Sequence, residues 1–294
     1  MIEISKNPVV SIIYVNYNTL SLLDDSLRSV VRNIGSINYE VIVVDNNSKE
    51  FDDTKLKQIL PSIKIVRSHT NLGFGGGNNA AAQKASGKYL WLLNTDTLVP
   101  KDNHIDKVIQ FLEDNDDYAA ASPLLVNEKG VYQSSQIAYF PSVARMVLEK
   151  PTNFITKLLP ATKRLFRSIN ADNLSVAERD IESAAAASFI VRRDVFEEVG
   201  GFSKQYFMYY EDTDLCKKIA ESGYHIRFLP QSKVVHLLGQ SISSSFERKK
   251  LYFESQDIYF SQHKSSLSRL SVHVLRIPLV IIYWFKDKMD KSTR

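Results

Sequence analysis

The chain has 294 residues, 44% of them hydrophobic and 24% charged, which excludes a disordered chain and leaves room for one large or two modest domains. Its formal net charge of +4 is mild, and no nucleic-acid partner is expected. The single cysteine, Cys216, cannot form an internal disulfide, which fits a reducing, cytoplasmic setting.

The N-terminal stretch has no basic region followed by a long apolar core and is read as lacking a signal peptide. "VVSIIYVNYN" (Val9 to Asn18) is β-branched and aromatic and predicts a strand. "TLSLLDDSLRSVVRN" places Leu20, Leu23, Leu27, Val30 and Val31 at helical spacing, with Thr19 or Ser21 as the cap. "YEVIVVDNNS" is a continuous apolar run ending in Asp45, the pattern of a strand buried on both faces. "SIKIVRS" predicts a further strand. The glycine-rich stretch "NLGFGGGNN" then leads into a helix, "NNAAAQKAS", stopped by Gly87, and "KYLWLLNTDT" is a strand with a polar end.

A helix, "HIDKVIQFLEDN", and "YAAASPLLVN" follow. Val143 to Ile169 mixes Arg145, Lys150, Lys157, Lys163, Arg164 and Arg167 with apolar residues; it reads either as a helical hairpin with a solvated basic face or as a surface for anionic lipid or acceptor. "AAAASFIVRRDVFEEVGGF", "YYEDTDLCKKIAESG" and "HIRFLPQSKVVHLLGQS" make a second α/β pass. The alternation predicts an α/β fold with a mostly parallel central sheet, flanked by helices and followed by a helical tail. The domain comprises residues 1–241, with the basic insert around 143–169, and the extension residues 242–294. Ligands sit at the carboxyl ends of strands in such sheets, where Asn16–Asn18, Asp45 and Asn94–Thr97 fall.

The glycine stretch matches neither of two common phosphate-binding patterns. No lysine follows as in G-x-x-x-x-G-K-[ST]. Asn78 takes the last glycine position of G-x-G-x-x-G, and the stretch follows a later strand than the first. It reads as a side-chain-poor entry to a helix N-terminus, where free N–H groups favour anions, or as a simple turn and cap.

Taken in order, "SIIYVNYN", "VIVVDNNS", "NLGFGGGNNAA", "YLWLLNTDT", "VGGF", "YYEDTDLC" and "VVHLLGQS" resemble the GT-A glycosyltransferases of family 2, in particular their bacterial rhamnosyltransferase-like branch, over Val9 to Ser241. The resemblance implies a Rossmann-like GT-A fold and an inverting sugar transfer from a dTDP- or UDP-linked donor, such as dTDP-rhamnose, to a glycan or polyprenyl-linked acceptor. It also implies a divalent ion, Mg²⁺ or Mn²⁺, on the donor diphosphate. Asp96 and, across the cleft, His236 are the implied metal ligands. Asn94 stands where the family has the first carboxylate of a D-x-D-like motif, so Asn94 and Thr95 are assigned to the nucleotide. Asp212 is the implied base, because an inverting transfer needs one carboxylate to take the acceptor's proton. Glu211 is placed beside the substrate and Asp214 in the structure of the helix. Asp45 and Tyr17 would meet the nucleoside, with Asn16 and Asn18 near it. Gly75 and Gly76 would let the backbone approach the nucleotide sugar, with Asn78 or Asn79 adding side-chain contacts. Ala186 stands where the family commonly has glycine.

Two rivals make different demands. A nucleotidyltransferase would carry its glycine loop after the first strand with a basic residue, and "VNYNTLSLL" has neither. A glycan-binding or scaffold protein would bind nucleotide sugar weakly, and a complete set of Asp45, Asp96, Asp212 and His236 argues against it. From Ser241 onward ten Lys/Arg face five Asp/Glu. Leu270 to Phe285 is too short to span a bilayer and contains His273, Arg276 and Pro278. Either Val272 to Phe285 packs on the main domain or on a second subunit of a homodimer, or Tyr283 and Trp284 and their basic flanks lie on the inner face of the cytoplasmic membrane.

Overall fold

The computed structural model describes residues 8–133, 136–145, 176–237 and 245–277. The chain divides into two compact units. The first comprises Met1–Tyr139, Val176–Phe207 and Glu211–Ser241; the second comprises Phe140–Ser175, Met208–Tyr210 and Ile242–Arg294.

The first unit runs β1 (Val10–Asn16), α1 (Leu20–Asn33), β2 (Tyr39–Asp45), α2 (Asp53–Ile59), β3 (Lys64–Arg67), α3 (Gly73–Ala82), β4 (Tyr89–Leu93) and β5 (Thr97–Leu98). It continues with α4 (Ile105–Asp114), β6 (Tyr118–Val126), β7 (Ile137–Ala138), β8 (Arg179–Asp180), β9 (Ser183–Ala184), β10 (Ser188–Arg192), α5 (Arg193–Glu198), α6 (Glu211–Glu221) and β11 (His225–His236). The main sheet has the order β3-β2-β1-β4-β10-β6-β11-β5, with β8 also on β11. Strands β3, β2, β1, β4, β6 and β11 run one way, as expected of a mostly parallel sheet, while β10, β5 and β8 run against them. The wholly parallel wing is the part written as continuous apolar runs: β4 and the last five residues of β2 are fully buried. Leu23, Leu27 and Val30 of α1 and Val108 and Leu112 of α4 join the same core.

Two local features depart from the sequence reading. Helix α2 has one buried apolar residue, Leu56, and so no apolar stripe to announce it; it is started by Asp52, whose carboxylate accepts from the N–H groups of Thr54 and Lys55. The glycine stretch is not a loop before a helix, because α3 already begins at Gly73. Glycine inside a helix costs about 1 kcal/mol against alanine, and close packing gives the reason for tolerating it. A Cβ on Gly75 would lie 2.8 Å from Phe202 Cβ, one on Gly77 2.6 Å from Val15 Cγ1, and one on Gly73, whose φ is +73°, would overlap the Phe207 carbonyl.

In the second unit the described residues form helix α7 (Ser245–His263) and a further helix over 266–277. Ser255 donates to the Met208 carbonyl and Gln256 to the Tyr210 hydroxyl, at 2.7 and 2.8 Å. The last helix buries Val272 and exposes Leu267, Leu270, Val274 and Ile277. No helix among the described residues is long and apolar enough to cross a membrane. The basic positions Lys150, Lys157, Lys163, Arg164 and Arg167, and the aromatic pair Tyr283 and Trp284, lie outside the described residues.

Gly77→Ala is expected to lower stability by about 1–3 kcal/mol through overpacking against Val15, a loss of roughly 2–4 °C in melting temperature per kcal/mol. Thermal melts should show Val15→Ala/Gly77→Ala recovering part of that loss, and an unchanged Gly77→Ala melt would contradict the packing account.

Candidate functional site

The parallel wing changes direction between β1 and β4: the chain builds β2 and β3 on one side of β1, then returns to place β4 on the other. Crevices form at the carboxyl ends of strands at such a point. Asn16 ends β1 in register with Asp45 at the end of β2. The Asn16 amide donates to Asp45 Oδ1 and Ser48 Oγ at 3.3 and 3.0 Å, and its carbonyl oxygen accepts from Thr19 Oγ1 at 3.0 Å. Thr19 also meets Thr95 Oγ1 at 3.0 Å. Thr19, one of the two caps the sequence offers for α1, stands at the N-cap without a side-chain cap bond; its hydroxyl ties the ends of β1 and β4 together. Asp45 is buried and accepts from Arg67 Nη1 at 3.2 Å. Asn18, in the left-handed region at φ 57°, accepts from the Lys49 N–H, and Tyr17 beside it is 46% exposed.

The residues around the glycines are engaged elsewhere. Asn78 donates to the Phe74 carbonyl one turn back. Asn79 closes a two-way clasp on Phe202, donating to its carbonyl and accepting from its N–H at 2.8 and 2.9 Å. The N–H groups of Leu72, Gly73 and Phe74 donate to Asn46 Oδ1, Asn71 Oδ1 and the Phe207 carbonyl. The N–H groups of Leu72, Gly73 and Phe74 at the start of α3 are thus bonded to protein and not offered to an anion. Asn46, the residue after Asp45, holds this turn by also donating to Asn71 and to the Gly73 carbonyl. Its only signal in the sequence was its place in "DNNS".

Asp96 and His236 do come together. Strand β5 lies antiparallel on β11 with Thr97 opposite His236, and the Leu237 N–H donates to the Asp96 carbonyl at 2.9 Å. Both side chains are largely buried, with His236 Nε2 3.4 Å from Asp96 Oδ1. Cis ligands on a divalent ion with bonds of about 2.1 Å lie about 3.0 Å apart, so the carboxylate and imidazole suit one ion with little movement. Among the described residues no cluster of three His, Cys, Asp or Glu forms. Such an ion would keep positions for phosphate oxygens and water.

Glu211 and Asp212 open α6. Burial raises the Asp212 carboxyl above the ordinary aspartate range, and hydrogen bonds from the N–H groups of Thr213 and Ala186 oppose that rise only in part. Glu211 is buried, its Oε2 has no hydrogen-bond partner among the described residues, and burial together with the charge of Asp212 pushes its carboxyl well above 4.5. Its protonated form is therefore favoured to higher pH than in a free glutamate. Asp214 is structural, accepting from Ser203 Oγ at 2.6 Å. The two residues before Glu211, Tyr209 and Tyr210, are both left-handed at φ 70° and 65°, an unfavourable conformation for bulky side chains. Asp212 is joined to the segment that carries Asp96 by short links, since Asp212 is bonded to Ala186 and the Asn94 N–H donates to the Ala187 carbonyl at 2.9 Å.

The sequence profile of Glycosyl transferase family 2 matches residues 11–200. The chain belongs to that family. A second profile, the N-terminal domain of galactosyltransferase, matches residues 173–238. An N-acetylglucosaminyl-diphospho-decaprenol L-rhamnosyltransferase of Mycobacterium tuberculosis is 25% identical over 207 residues, 67% of this chain and 66% of its own length. The rhamnosyltransferase WbbL of Escherichia coli is 24% identical over 236 residues, 76% of this chain and 83% of its own. Among solved structures, the mannosyltransferase PcManGT from Pyrobaculum calidifontis, in complex with GDP-Man and Mn2+, superposes with a TM-score of 0.58 at 17% identity. That match covers 88% of this chain and 64% of that one, and it establishes a shared GT-A fold. The chain therefore spans about two thirds of the length of the mycobacterial transferase and of PcManGT.

The raised Glu211 carboxyl makes stability fall as pH rises. Unfolded, the side chain ionises near 4.5. The folded chain keeps the proton to higher pH, so it binds more protons and loses stability as pH rises above that value, by about 1.4 kcal/mol per pH unit until the folded value is passed. Thermal melts of Glu211→Gln should match the parent near pH 5 and exceed it increasingly toward pH 8; a gap independent of pH would contradict a protonated Glu211.

Proposed function

We propose that the chain is a metal-dependent, inverting glycosyltransferase that moves L-rhamnose from dTDP-rhamnose to a lipid-linked glycan acceptor. The observation that carries this reading is the Asp96–His236 pair, an oxygen and a nitrogen donor 3.4 Å apart at the carboxyl edge of the sheet. The printed names of the mycobacterial and E. coli relatives support rhamnose as the sugar, and the mycobacterial name supports a polyprenyl diphosphate acceptor. The Mn2+ and GDP-Man of PcManGT support a divalent ion and a nucleotide-sugar donor.

In this reading Asp96 and His236 hold Mg²⁺ or Mn²⁺, which when bound neutralises the charge that builds on the departing diphosphate. Asp212 accepts the proton of the acceptor hydroxyl. As it does so, that oxygen bonds to the anomeric carbon and the bond from this carbon to the diphosphate breaks on the opposite face, inverting the centre and releasing the nucleoside diphosphate. Burial makes Asp212 a stronger base than an exposed carboxylate. Asp45, Tyr17, Asn94 and Thr95 face the nucleoside end, with Asn16 and Asn18 holding the crevice wall. Gly75, Gly76, Asn78 and Asn79 shape that wall through α3.

The second unit is proposed to meet the membrane that carries a lipid-linked acceptor. Leu267, Leu270, Val274 and Ile277 recur at spacings of three and four on one exposed face, beside the exposed cation Arg269. That face is proposed to lie on an anionic membrane, where each basic residue near the surface adds about 1 kcal/mol.

Two measurements test this reading. Asp212→Asn should lower kcat about 10²–10⁴-fold in a transfer assay with dTDP-rhamnose and a polyprenyl-diphosphate sugar, while dTDP affinity stays within a factor of two or three (an order-of-magnitude expectation). Retained turnover would remove Asp212 from the base role. Leu270→Asp/Val274→Asp should abolish co-flotation with phosphatidylglycerol vesicles without changing dTDP binding; flotation that persists would contradict the membrane face.

A further inference from the structure

Gln133 was not among the residues singled out from the sequence, yet the chain takes care to place it. After β6 the chain turns through Asn127, whose Oδ1 accepts from the N–H groups of Lys129 and Val131, both at 2.9 Å. Tyr132 then bridges back to Val126, and the Gln133 N–H donates to the Leu125 carbonyl at 3.0 Å. Gln133 ends up 7% exposed, with both ends of its amide against His236. Its Nε2 lies 2.7 Å from the His236 carbonyl oxygen and its Oε1 2.9 Å from His236 Nδ1.

For a neutral imidazole only one arrangement of protons satisfies both contacts. A carbonyl oxygen can only accept, so the amide NH₂ must face it; the reverse orientation would press two oxygens together at 2.7 Å. Oε1 is then left facing Nδ1, and because Oε1 can only accept, Nδ1 must carry the hydrogen. A neutral imidazole protonated on Nδ1 has its lone pair on Nε2. Nε2 is the atom directed at Asp96 Oδ1, 3.4 Å away. In the neutral ring no proton lies between these two atoms, so two lone-pair donors face each other, an arrangement that calls for a cation.

We propose that Gln133 is a positioning residue that locks His236 in the Nδ1–H tautomer and fixes its ring plane, so that Nε2 is presented bare to a divalent ion before any ion arrives. The proposal rests on the reading of Asp96 and His236 as a cation site, and supplies its missing part. Gln133 touches neither the ion nor the sugar donor; it acts through the imidazole. Without it, the proton is free to move to Nε2 and donate to Asp96, which would close the site with an internal hydrogen bond. Partners of this kind on ligating histidines typically change metal affinity about 10- to 100-fold.

The test uses the full chain, labelled with ¹⁵N-histidine and free of metal, with the His236 signals assigned by their loss in His236→Gln. Long-range ¹H–¹⁵N spectra at pH 8 should show Nδ1 protonated and Nε2 bare in the parent, and the proton shifted toward Nε2 in Gln133→Leu. Mn²⁺ binding followed by electron paramagnetic resonance in the presence of UDP should weaken about 10- to 100-fold in Gln133→Leu, with a thermal melt confirming that the variant is folded. An Nε2–H tautomer in the parent would overturn the assignment whether or not Gln133→Leu folds, and so would a folded Gln133→Leu with unchanged tautomer and Mn²⁺ affinity. A bare Nε2 in a parent that binds no Mn²⁺ would instead overturn the cation reading and leave the lock without a purpose.

Discussion

A short stretch of main-chain pairing holds the site together. Strand β5 is only two residues long, and its antiparallel register on β11 sets Thr97 against His236 and Leu98 against Val235. The hydrogen bond from the Leu237 N–H to the Asp96 carbonyl extends this pairing by one step. Two side chains far apart in sequence are thereby delivered to one buried spot from rigid backbone. A slip of one residue would turn His236 to the opposite face of the sheet. The bulge between Leu229 and Lys233 lies just upstream, at Pro230, and adjusts the same strand before it reaches the site.

The rest of the site is a balance between groups held charged and groups held neutral. Asp45 faces Arg67, while Glu211 and Asp212 are adjacent in a desolvating setting, with no cation bonded to either among the described residues. Two neighbouring carboxyls in such a place cannot both ionise readily, and both are pushed upward, Glu211 by burial and by the charge of Asp212. The N–H groups of Ala186 and Thr213 hold Asp212, the proposed base. The consecutive left-handed tyrosines just before Glu211 hold an unfavourable backbone, and strain of this kind persists only when neighbouring contacts enforce it. Here the enforcing contacts come from Ser255 and Gln256 of α7.

Much of this was legible in the residues, and the gaps have physical causes. Long apolar runs such as Val41–Val44 and Leu90–Leu93 announce central strands because they must be apolar on both faces, and polar residues at their ends announce the crevice. Short elements carry no such periodicity: β5, β7, β8 and β9 have two residues each, and α2 has one buried apolar side chain. The glycines misled in an instructive way. A run of glycine suggests an approach by something outside the chain, but the approaching atoms here belong to Phe202, Phe207 and Val15, all distant in sequence. Asn79 shows the same limit, because its partner Phe202 is on a segment that no local pattern connects to it. Gln133 could be found only once β6 and β11 were seen side by side.

The most direct test of the account is calorimetric titration of the full chain with UDP and with dTDP, each with and without Mn²⁺, in the parent and in Asp96→Ala. The account predicts binding that requires Mn²⁺, favours dTDP, and disappears in the variant while the fold is retained. Nucleotide binding that is indifferent to Mn²⁺ and to Asp96 would contradict it.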